Sequence, residues 1–191
     1  MQLAHLIRKS ELMVISTQFH DDLLAAIPSL RAFGLSLTAR GDRADDLVQE
    51  TLMKAWKYHD SFTAGTNMKA WLYTILRNEF YTQLRKRKRE VEDADGVYSS
   101  KVAVHAEQDG HLDMADFTIA LAKLPEDQRE AIVLVGASGF SYEEAAEICG
   151  CAVGTIKSRV NRARNRLTEL LQIEPQSSVS ISDQLTIVRR A

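Results

Sequence analysis

Apolar residues recur three or four positions apart along most of the chain, a spacing typical of amphipathic helices. A first block of this pattern predicts helices over residues 21–39, 42–58 and 66–89. A second block predicts a helix through Phe117–Leu124, a helix over 125–136, a short helix after Ser141 and a last helix over 153–171. Because no run alternates between apolar and polar residues as a strand would, the sequence predicts an all-α fold of two small helical domains.

Several residues mark where these helices begin and end. Asp21 or Asp22 is expected to cap the first helix, and Asp42 the second. Ser141 and Glu144 have the spacing of a capping box ahead of the short helix. The remaining markers are Pro28, which predicts a kink or a shifted start, Thr66 or Asn67 at the third helix, Pro125 as a first helical residue and Gly150 in a turn.

Charge divides the chain more sharply than its net value of −2 indicates. Residues 1–89 carry 14 Lys and Arg against 9 Asp and Glu, whereas residues 90–116 carry one Lys against 8 acidic residues. This asymmetry predicts that a polyanion binds part of the chain. The expected divisions are an N-terminal extension (1–20), a first domain (21–89), a flexible acidic linker (90–112), a second domain (113–172) and a mobile tail (173–191).

Composition excludes several classes of protein. The two cysteines, Cys149 and Cys151, are one residue apart, which excludes a disulfide scaffold and predicts a cytoplasmic protein. No apolar run approaches the ~20 residues of a membrane span. The five histidines lack metal-ligand spacing, and there is neither a phosphate-binding glycine loop nor a nucleophile elbow. We therefore expect no catalytic residues, no metal and no cofactor.

Residues 141–171 predict a DNA-binding helix-turn-helix, because a short capped helix is followed by a glycine turn and a longer basic helix. On the longer helix, one stripe is apolar and is expected to be buried; it consists of Ile156, Val160, Ala163 and Leu167. Ser158, Asn161 and Arg162 lie opposite this stripe and suit base edges. Cations flank the stripe and suit phosphates: Lys157, Arg159, Arg164 and Arg166. The alternative is a merely solvated basic helix.

The helices of the first block offer two further surfaces. On helix 66–89 the expected buried face is Met68, Trp71, Leu72, Ile75, Leu76 and Phe80. Tyr73 and Tyr81 lie off this face, ahead of the five consecutive cations of residues 85–89, and aromatics beside cations suit single-stranded nucleic acid. Helix 42–58 is expected to bury Ala44, Leu47, Val48, Leu52, Ala55 and Trp56. Its opposite face, Asp46, Gln49, Glu50 and Met53, indicates either a protein partner or an ordinary solvated surface.

Together these segments resemble the extracytoplasmic function (ECF) sigma factors, in the order and spacing of that family. The resembling segments are residues 45–56, 71–78 with 84–85, 124–125 with 128–130 and 141–146, and 153–164, and the likeness extends over about residues 20–172. Residues 136–146 are most similar to the EcfG group, the general stress response sigma factors of alphaproteobacteria. Thr82 stands where many members of the family carry an acidic residue.

The resemblance implies a non-enzymatic subunit that directs core RNA polymerase to stress-response promoters, melts promoter DNA and is controlled by a small helical anti-sigma factor. It implies that the loop 57–67 and helix 66–84 form a pocket for a flipped base of the −10 element. The implied polymerase contacts are Asp46, Gln49, Glu50 and Met53. The implied −10 contacts are Tyr73, Arg77, Asn78, Tyr81 and Arg85. The implied −35 contacts are Thr155, Lys157, Ser158, Arg159, Asn161 and Arg162.

Two other classes of protein remain as alternatives. A simple helix-turn-helix regulator accounts for residues 141–167 but not for the first block. A sigma-mimicking partner-switch protein binds an anti-sigma factor and no promoter. Such mimics carry a receiver domain after the sigma-like part, whereas this chain ends about twenty residues after its basic helix and keeps the basic face.

Overall fold

The computed structural model describes the backbone of residues 2–63, 65–92 and 112–171, and the side chains of 18–63, 65–89 and 116–171. Within these ranges the chain forms seven α-helices and no strand, so the all-α prediction is confirmed. The helices are α1 (Gln2–Thr38), α2 (Gly41–Lys57), α3 (Met68–Glu92), α4 (Leu112–Ala122), α5 (Glu126–Ile132), α6 (Tyr142–Cys149) and α7 (Val153–Leu170). Most of the predicted acidic linker and the predicted tail lie outside the described residues. No described helix is long and apolar enough to cross a membrane.

α1, α2 and α3 pack around one apolar core and form the first domain. The buried side chains of this core include Leu23, Leu30, Phe33, Leu37, Leu47, Val48, Leu72, Leu76 and Phe80. Gly34 lies where α1 meets α2, and a Cβ at this position would stand 3.5 Å from the backbone oxygen of Ala44. This is an ordinary van der Waals distance, so alanine would also fit between the two helices here. Each fully buried Leu or Phe of the core stabilises the fold by roughly 1.5–3 kcal/mol.

The start of the first helix differs from the prediction. α1 begins at Gln2, so Asp21 and Asp22 lie inside the helix and the prediction that either caps it is wrong. No Gly or Pro interrupts residues 2–20, and a helix continues where no residue stops it. Pro28 is accommodated inside α1 at an exposed position. A proline lacks the N–H that would bond to the carbonyl four residues earlier, so this turn has one backbone hydrogen bond fewer.

The caps of α2 and α3 contrast with each other. Asp42 does not cap α2, because the N-cap position belongs to Arg40 and the Asp42 carboxylate instead pairs with that guanidinium at 2.5 Å. At α3 the expected cap is present. The Asn67 side-chain oxygen accepts a hydrogen bond of 3.1 Å from the backbone N–H of Ala70, which satisfies one of the unpaired donors of the first turn.

The buried face of α2 also differs from the predicted one at three positions, and at one of them Leu52 is only partly buried. Trp56 is 57% exposed, so its assignment to the core is wrong. Thr51 is buried in its place, and its hydroxyl donates to the carbonyl of Leu47 at 2.7 Å. Because that bond lies within the helix itself, the hydroxyl enters the core without losing a hydrogen bond. Trp56 stays at the surface, stacked against His59.

α4–α7 form the second domain, whose buried side chains join those of the first domain in one apolar cluster. The buried side chains of the second domain include Phe117, Leu124, Ile132, Leu134, Ile148, Ile156, Val160 and Leu167. The capping box is confirmed: the Ser141 hydroxyl accepts from the Glu144 N–H at 3.0 Å, and the Glu144 carboxylate accepts from the Ser141 N–H at 2.9 Å. Gly150 ends α6 with φ of +63°, a left-handed conformation that favours glycine. α6, this turn and α7 build the predicted helix-turn-helix.

The two domains are docked, with α3 lying against α6 and α1 against α5. Arg129 of α5 bridges them, because its guanidinium donates to the Ala122 carbonyl of its own domain at 3.1 Å and to the Leu37 carbonyl of α1 at 3.4 Å. Leu37 belongs to the last turn of α1, whose carbonyls have no partner within the helix. A buried cation therefore covers a helix end of the neighbouring domain.

Candidate nucleic-acid and protein interfaces

α7 presents the polar surface that its sequence predicts. The four residues of its apolar stripe, Ile156, Val160, Ala163 and Leu167, are buried against the second domain. The exposed candidates on the remaining faces are Thr155, Lys157, Ser158, Asn161 and Arg162, with Arg164 and Arg166 further along the helix. Exposed amide, hydroxyl and guanidinium groups on a helix that follows a tight turn have the arrangement that reads base edges in the major groove.

Arg159 is the exception on this surface. It is half-buried, its Nε lies 3.1 Å from the Asp127 carboxylate of α5, and its Nη1 lies 4.0 Å from the Cys151 sulfur. A guanidinium held by an intramolecular carboxylate must give up that pair before it contacts DNA. The structure therefore separates Arg159 from the exposed members of the predicted set. Lys157 is placed differently, with its Nζ 5.8 Å from the ring centroid of Tyr142 on α6.

α2 carries an acidic surface with an apolar end. Asp46 and Gln49 are exposed, Glu50 is partly exposed and Met53 is 50% exposed, so the four predicted residues share one accessible face. Sequence reasoning missed Trp56, which it placed in the core. Trp56 follows Met53 by three positions on the same helix and extends the face with a large exposed ring. Acidic groups beside exposed apolar side chains suit a protein partner better than DNA.

One face of α3 lines a pocket of about 290 Å³. Its lining residues are Lys54, Tyr58, Ser61, Trp71, Ile75, Asn78, Glu79 and Thr82. The pocket lies between the end of α2, the segment after it and the side of α3 from Trp71 to Thr82, so it overlaps the loop and helix that the resemblance implies for the base pocket. Of the five predicted −10 contacts only Asn78 lines it. Trp71, Thr82 and the ion pair across its floor were not predicted as site residues.

An ion pair between α2 and α3 forms the floor of this pocket. The Lys54 ammonium pairs with the Glu79 carboxylate, which also accepts from the Gln83 amide at 3.1 Å. Burial of Glu79 acts to raise its pKa, but the hydrogen bonds from Lys54 and Gln83 outweigh burial and hold this pKa below its usual value. The wall is aromatic, because Tyr58 and Trp71 line the pocket, and the Trp71 ring is packed against Phe62 with centroids 5.2 Å apart. A flat, partly polar ring such as a nucleobase suits this combination of aromatic wall and polar floor.

A different face of α3 meets the second domain. Four side chains at four-residue spacing lie along it, and we call them the docking stripe: Lys69, Tyr73, Arg77 and Tyr81. The Lys69 Nζ donates to the Ser138 carbonyl at 2.6 Å, and the Tyr73 ring meets the Phe140 ring edge-on with centroids 4.9 Å apart.

The lower half of the docking stripe binds a single carboxylate. The Arg77 Nε donates to one Glu130 oxygen at 2.7 Å, and the Tyr81 hydroxyl donates to the other at 3.3 Å. Tyr73 is 1% exposed and its hydroxyl donates to the Ser29 carbonyl, so the interpretation that it faces a ligand is wrong for this arrangement. Arg85, four positions after Tyr81, is exposed. The predicted −10 contacts are thus divided between the pocket, the docking stripe and the exposed end of α3.

The cysteines lie inside the helix-turn-helix. Cys149 is buried, and burial raises the pKa of its thiol to about 12, so it stays protonated. Within the described residues no group of three or more His, Cys, Asp and Glu side chains is arranged to hold a metal ion.

Comparison with known families assigns both domains. A family described as "Sigma-70 region 2" matches residues 24–90, and one described as "Sigma-70, region 4" matches residues 117–167. The two matches correspond to the first and second helical domains. A simple helix-turn-helix regulator would account for the second match alone.

The relatives agree with this assignment. An ECF RNA polymerase sigma factor, EcfG of Rhodopseudomonas palustris, is 57% identical over 176 residues, covering 92% of this chain and 97% of the relative. The Bartonella quintana sigma factor RpoE, solved in complex with the anti-sigma factor NepR, is 64% identical with a TM-score of 0.76, covering 82% of this chain and 98% of that one. CnrH, solved with the cytosolic domain of CnrY, is 26% identical with a TM-score of 0.61, covering 83% and 90%. The chain therefore belongs to the ECF sigma factors, which are transcription initiation factors rather than enzymes.

Proposed function

We propose that this chain is a cytoplasmic alternative sigma factor that directs core RNA polymerase to stress-response promoters and is switched off by a small helical anti-sigma factor. The observation that carries the proposal is that one chain combines three surfaces of different chemistry. The basic face of α7 suits duplex DNA, the pocket beside α3 suits an unpaired base, and the acidic face of α2 suits a protein.

Core polymerase is the partner we assign to the acidic face of α2. Asp46, Gln49 and Glu50 supply negative and polar groups, and Met53 with Trp56 supplies an apolar end. Aromatic and methionine side chains at the centre of an interface, with charges at its rim, are typical of specific protein–protein contacts. A cationic partner surface is therefore expected to cover this face.

The −35 element is the partner we assign to α7. Arg162 and Asn161 face away from the domain core, where a helix seated in the major groove meets base edges. Lys157 lies at the edge of that face and suits a phosphate.

The pocket beside α3 is proposed to receive one unpaired base of the −10 element. Taking a base out of the stack costs a few kcal/mol, and a preformed pocket offsets this cost. Trp71 offers a ring for stacking, and Asn78 offers both a donor and an acceptor at the pocket rim. The strand would leave the pocket towards the cations at residues 85–89.

An anti-sigma factor is proposed as the regulator. It is expected to be small and helical, to contact both domains, and to cover the acidic face of α2 without touching the base-reading residues of α7. The similarity to a sigma factor solved with the anti-sigma factor NepR supports this partner class. The docked arrangement supports it as well, because two domains held together offer a composite surface that neither has alone.

The test is open-complex formation by core polymerase carrying the full chain. Asn78→Ala is expected to reduce permanganate reactivity of unpaired −10 thymines while leaving closed-complex binding nearly unchanged. Gln18→Ala, which removes an exposed amide from α1, is the matched control and is expected to leave both unchanged. A normal permanganate footprint with Asn78→Ala would contradict the role of the pocket.

A further inference from the structure

The docking stripe of α3 faces the second domain along its whole length. Each of its four side chains contacts the second domain: Lys69 a carbonyl, Tyr73 a ring, Arg77 and Tyr81 one carboxylate. The stripe also lies in register with Arg85, which is exposed at the start of the basic end of α3. A polyanion that follows the basic end of α3 thus meets, one turn earlier, cationic and donor groups that are already occupied.

The group that pairs with Arg77 and Tyr81 is the buried carboxylate of Glu130. The side chain of Glu130 is 0% exposed, and that of its partner Arg77 is 19% exposed. The Arg77 guanidinium carbon also lies 4.7 Å from the ring centroid of Tyr81, so the cation is held between a ring and a carboxylate. Burial raises the pKa of Glu130 and that of Tyr81, so the phenol stays protonated and remains a donor. A buried carboxylate is tolerated only while it is paired. When the domains undock, Glu130 leaves Arg77 and Tyr81, and both groups can then bind another anion.

A DNA phosphate is the anion that fits them. Carboxylate and phosphate oxygens accept charge-assisted hydrogen bonds from arginine in the same way, and tyrosine hydroxyls also donate to phosphates. We propose that Glu130 is an internal competitor of DNA: in the docked chain it occupies the place that a backbone phosphate of the unpaired strand takes once the second domain undocks. This proposal rests on the proposed function, and it makes Glu130 the group that controls access of the −10 strand to Arg77 and Tyr81.

The consequence is an asymmetry between the two DNA-binding surfaces. The base-reading side of α7 stays exposed in the docked arrangement, whereas Arg77 and Tyr81 are covered. The free chain therefore meets single-stranded DNA with its strand-binding groups blocked by its own second domain. Binding the unpaired strand and keeping the domains docked exclude each other.

The experiment compares two variants that break the same ion pair from opposite sides. Full-length Glu130→Gln and Arg77→Gln are each titrated with a fluorescent single-stranded oligonucleotide carrying the −10 non-template sequence. Both variants lose the charge pair, but only Glu130→Gln keeps the cation. We expect Glu130→Gln to bind the oligonucleotide about 5- to 150-fold more tightly than wild type, the usual range of coupling between two sites, and Arg77→Gln to show no gain. Glu147→Gln removes an exposed carboxylate of α6 and is expected to match wild type.

Two results overturn the proposal. If both variants gain affinity equally, the stripe only docks the domains and Glu130 does not stand in for a phosphate. If neither gains, no competition exists. A second measurement needs no variant of the pair: dyes placed through non-natural residues at Asp21 of α1 and Glu169 of α7 report domain separation in the otherwise wild-type chain.

We expect oligonucleotide binding and loss of energy transfer to saturate at the same oligonucleotide concentration. Binding without any loss of energy transfer would overturn the competition even if Glu130→Gln failed to fold. Both readouts omit polymerase. A failure of the sigma-factor function and a failure of the competition are therefore distinguishable.

Discussion

Salt dependence separates the two kinds of contact proposed for α7. The logarithm of the binding constant falls linearly with log salt, and each phosphate contact that is lost makes this negative slope shallower by about 0.9. Between 50 and 200 mM salt, one such contact corresponds to a factor of about 3.5 in affinity. Lys157 is exposed at the edge of the helix, so Lys157→Ala is expected to show a binding deficit that shrinks by about this factor over that range. The deficit should be the same on every DNA sequence.

Arg162 is expected to behave differently because it faces away from the core, where base edges lie. Loss of a bidentate base contact costs about 1–3 kcal/mol, which is about 5- to 150-fold. This loss should appear on the cognate −35 element and largely disappear on one with the contacted base pair changed. The assay is filter binding of promoter fragments by core polymerase carrying each variant, at four salt concentrations. Equal, salt-independent losses for Lys157→Ala and Arg162→Ala would refute the assignment.

Three further predictions concern other parts of the molecule. Asp127→Asn releases Arg159 from its carboxylate and should tighten −35 binding several-fold at low salt, measured in the same assay; unchanged affinity would show that Arg159 does not reach DNA. Ser141→Ala removes the cap of α6 and should lower the free energy of unfolding by about 1 kcal/mol in urea titration, whereas Ser→Ala at the exposed Ser158 should not. Hydrogen bonds from the Ser141 backbone and the Asn67 side chain hold the pKa of Glu144 below its usual 4.5. The stabilisation from this carboxylate is therefore present above about pH 4.5 and is lost as the pH falls through the lowered pKa. Glu144→Gln should lack this acid-dependent loss, and parallel curves of unfolding free energy against pH for the two proteins would contradict it.

Periodicity predicted the secondary structure well because most helices here bury one continuous apolar stripe. The stripe of α7 and the capping box of α6 are local patterns, and both were found as predicted. Trp56 and Thr51 show the limit of this reasoning. The Thr51 hydroxyl is hydrogen-bonded within its own helix, so it is as acceptable in the core as an apolar group. Trp56 lies at the edge of the apolar stripe, where burial depends on which neighbouring element packs against the helix.

The docking stripe could not be recognised from the pattern of one helix. Lys69, Tyr73, Arg77 and Tyr81 have regular four-residue spacing, but they mix charged and aromatic residues and so give no apolar signal. Their partners lie in the other domain, and the carboxylate that holds Arg77 and Tyr81 belongs to Glu130, 53 residues after Arg77. The same long-range dependence explains Arg159, whose pairing with Asp127 is set by the packing of α5 on α7. The sequence does contain one signal: Arg77 lies between two tyrosines on the same helix face, and a cation among aromatic residues predicts a carboxylate partner.

The acidic face of α2 offers a simpler test of the polymerase contact. Glu50→Lys reverses one charge at the rim of this face and should weaken core polymerase binding while leaving the isolated fold intact. Pull-down of core polymerase by the variant and by wild type compares them directly, and circular dichroism checks the fold. Equal recovery of polymerase would place the contact elsewhere on the chain.

Run-off transcription shows most directly whether the chain acts as a sigma factor. Core RNA polymerase is mixed with the purified full chain and a promoter that the EcfG relative of Rhodopseudomonas palustris transcribes, and the transcript is measured against core polymerase alone. A sigma factor is expected to give a transcript of defined length that depends on the chain and disappears when the −35 element is scrambled. Promoter binding by the chain without any transcript above the level of core polymerase alone would contradict this expectation.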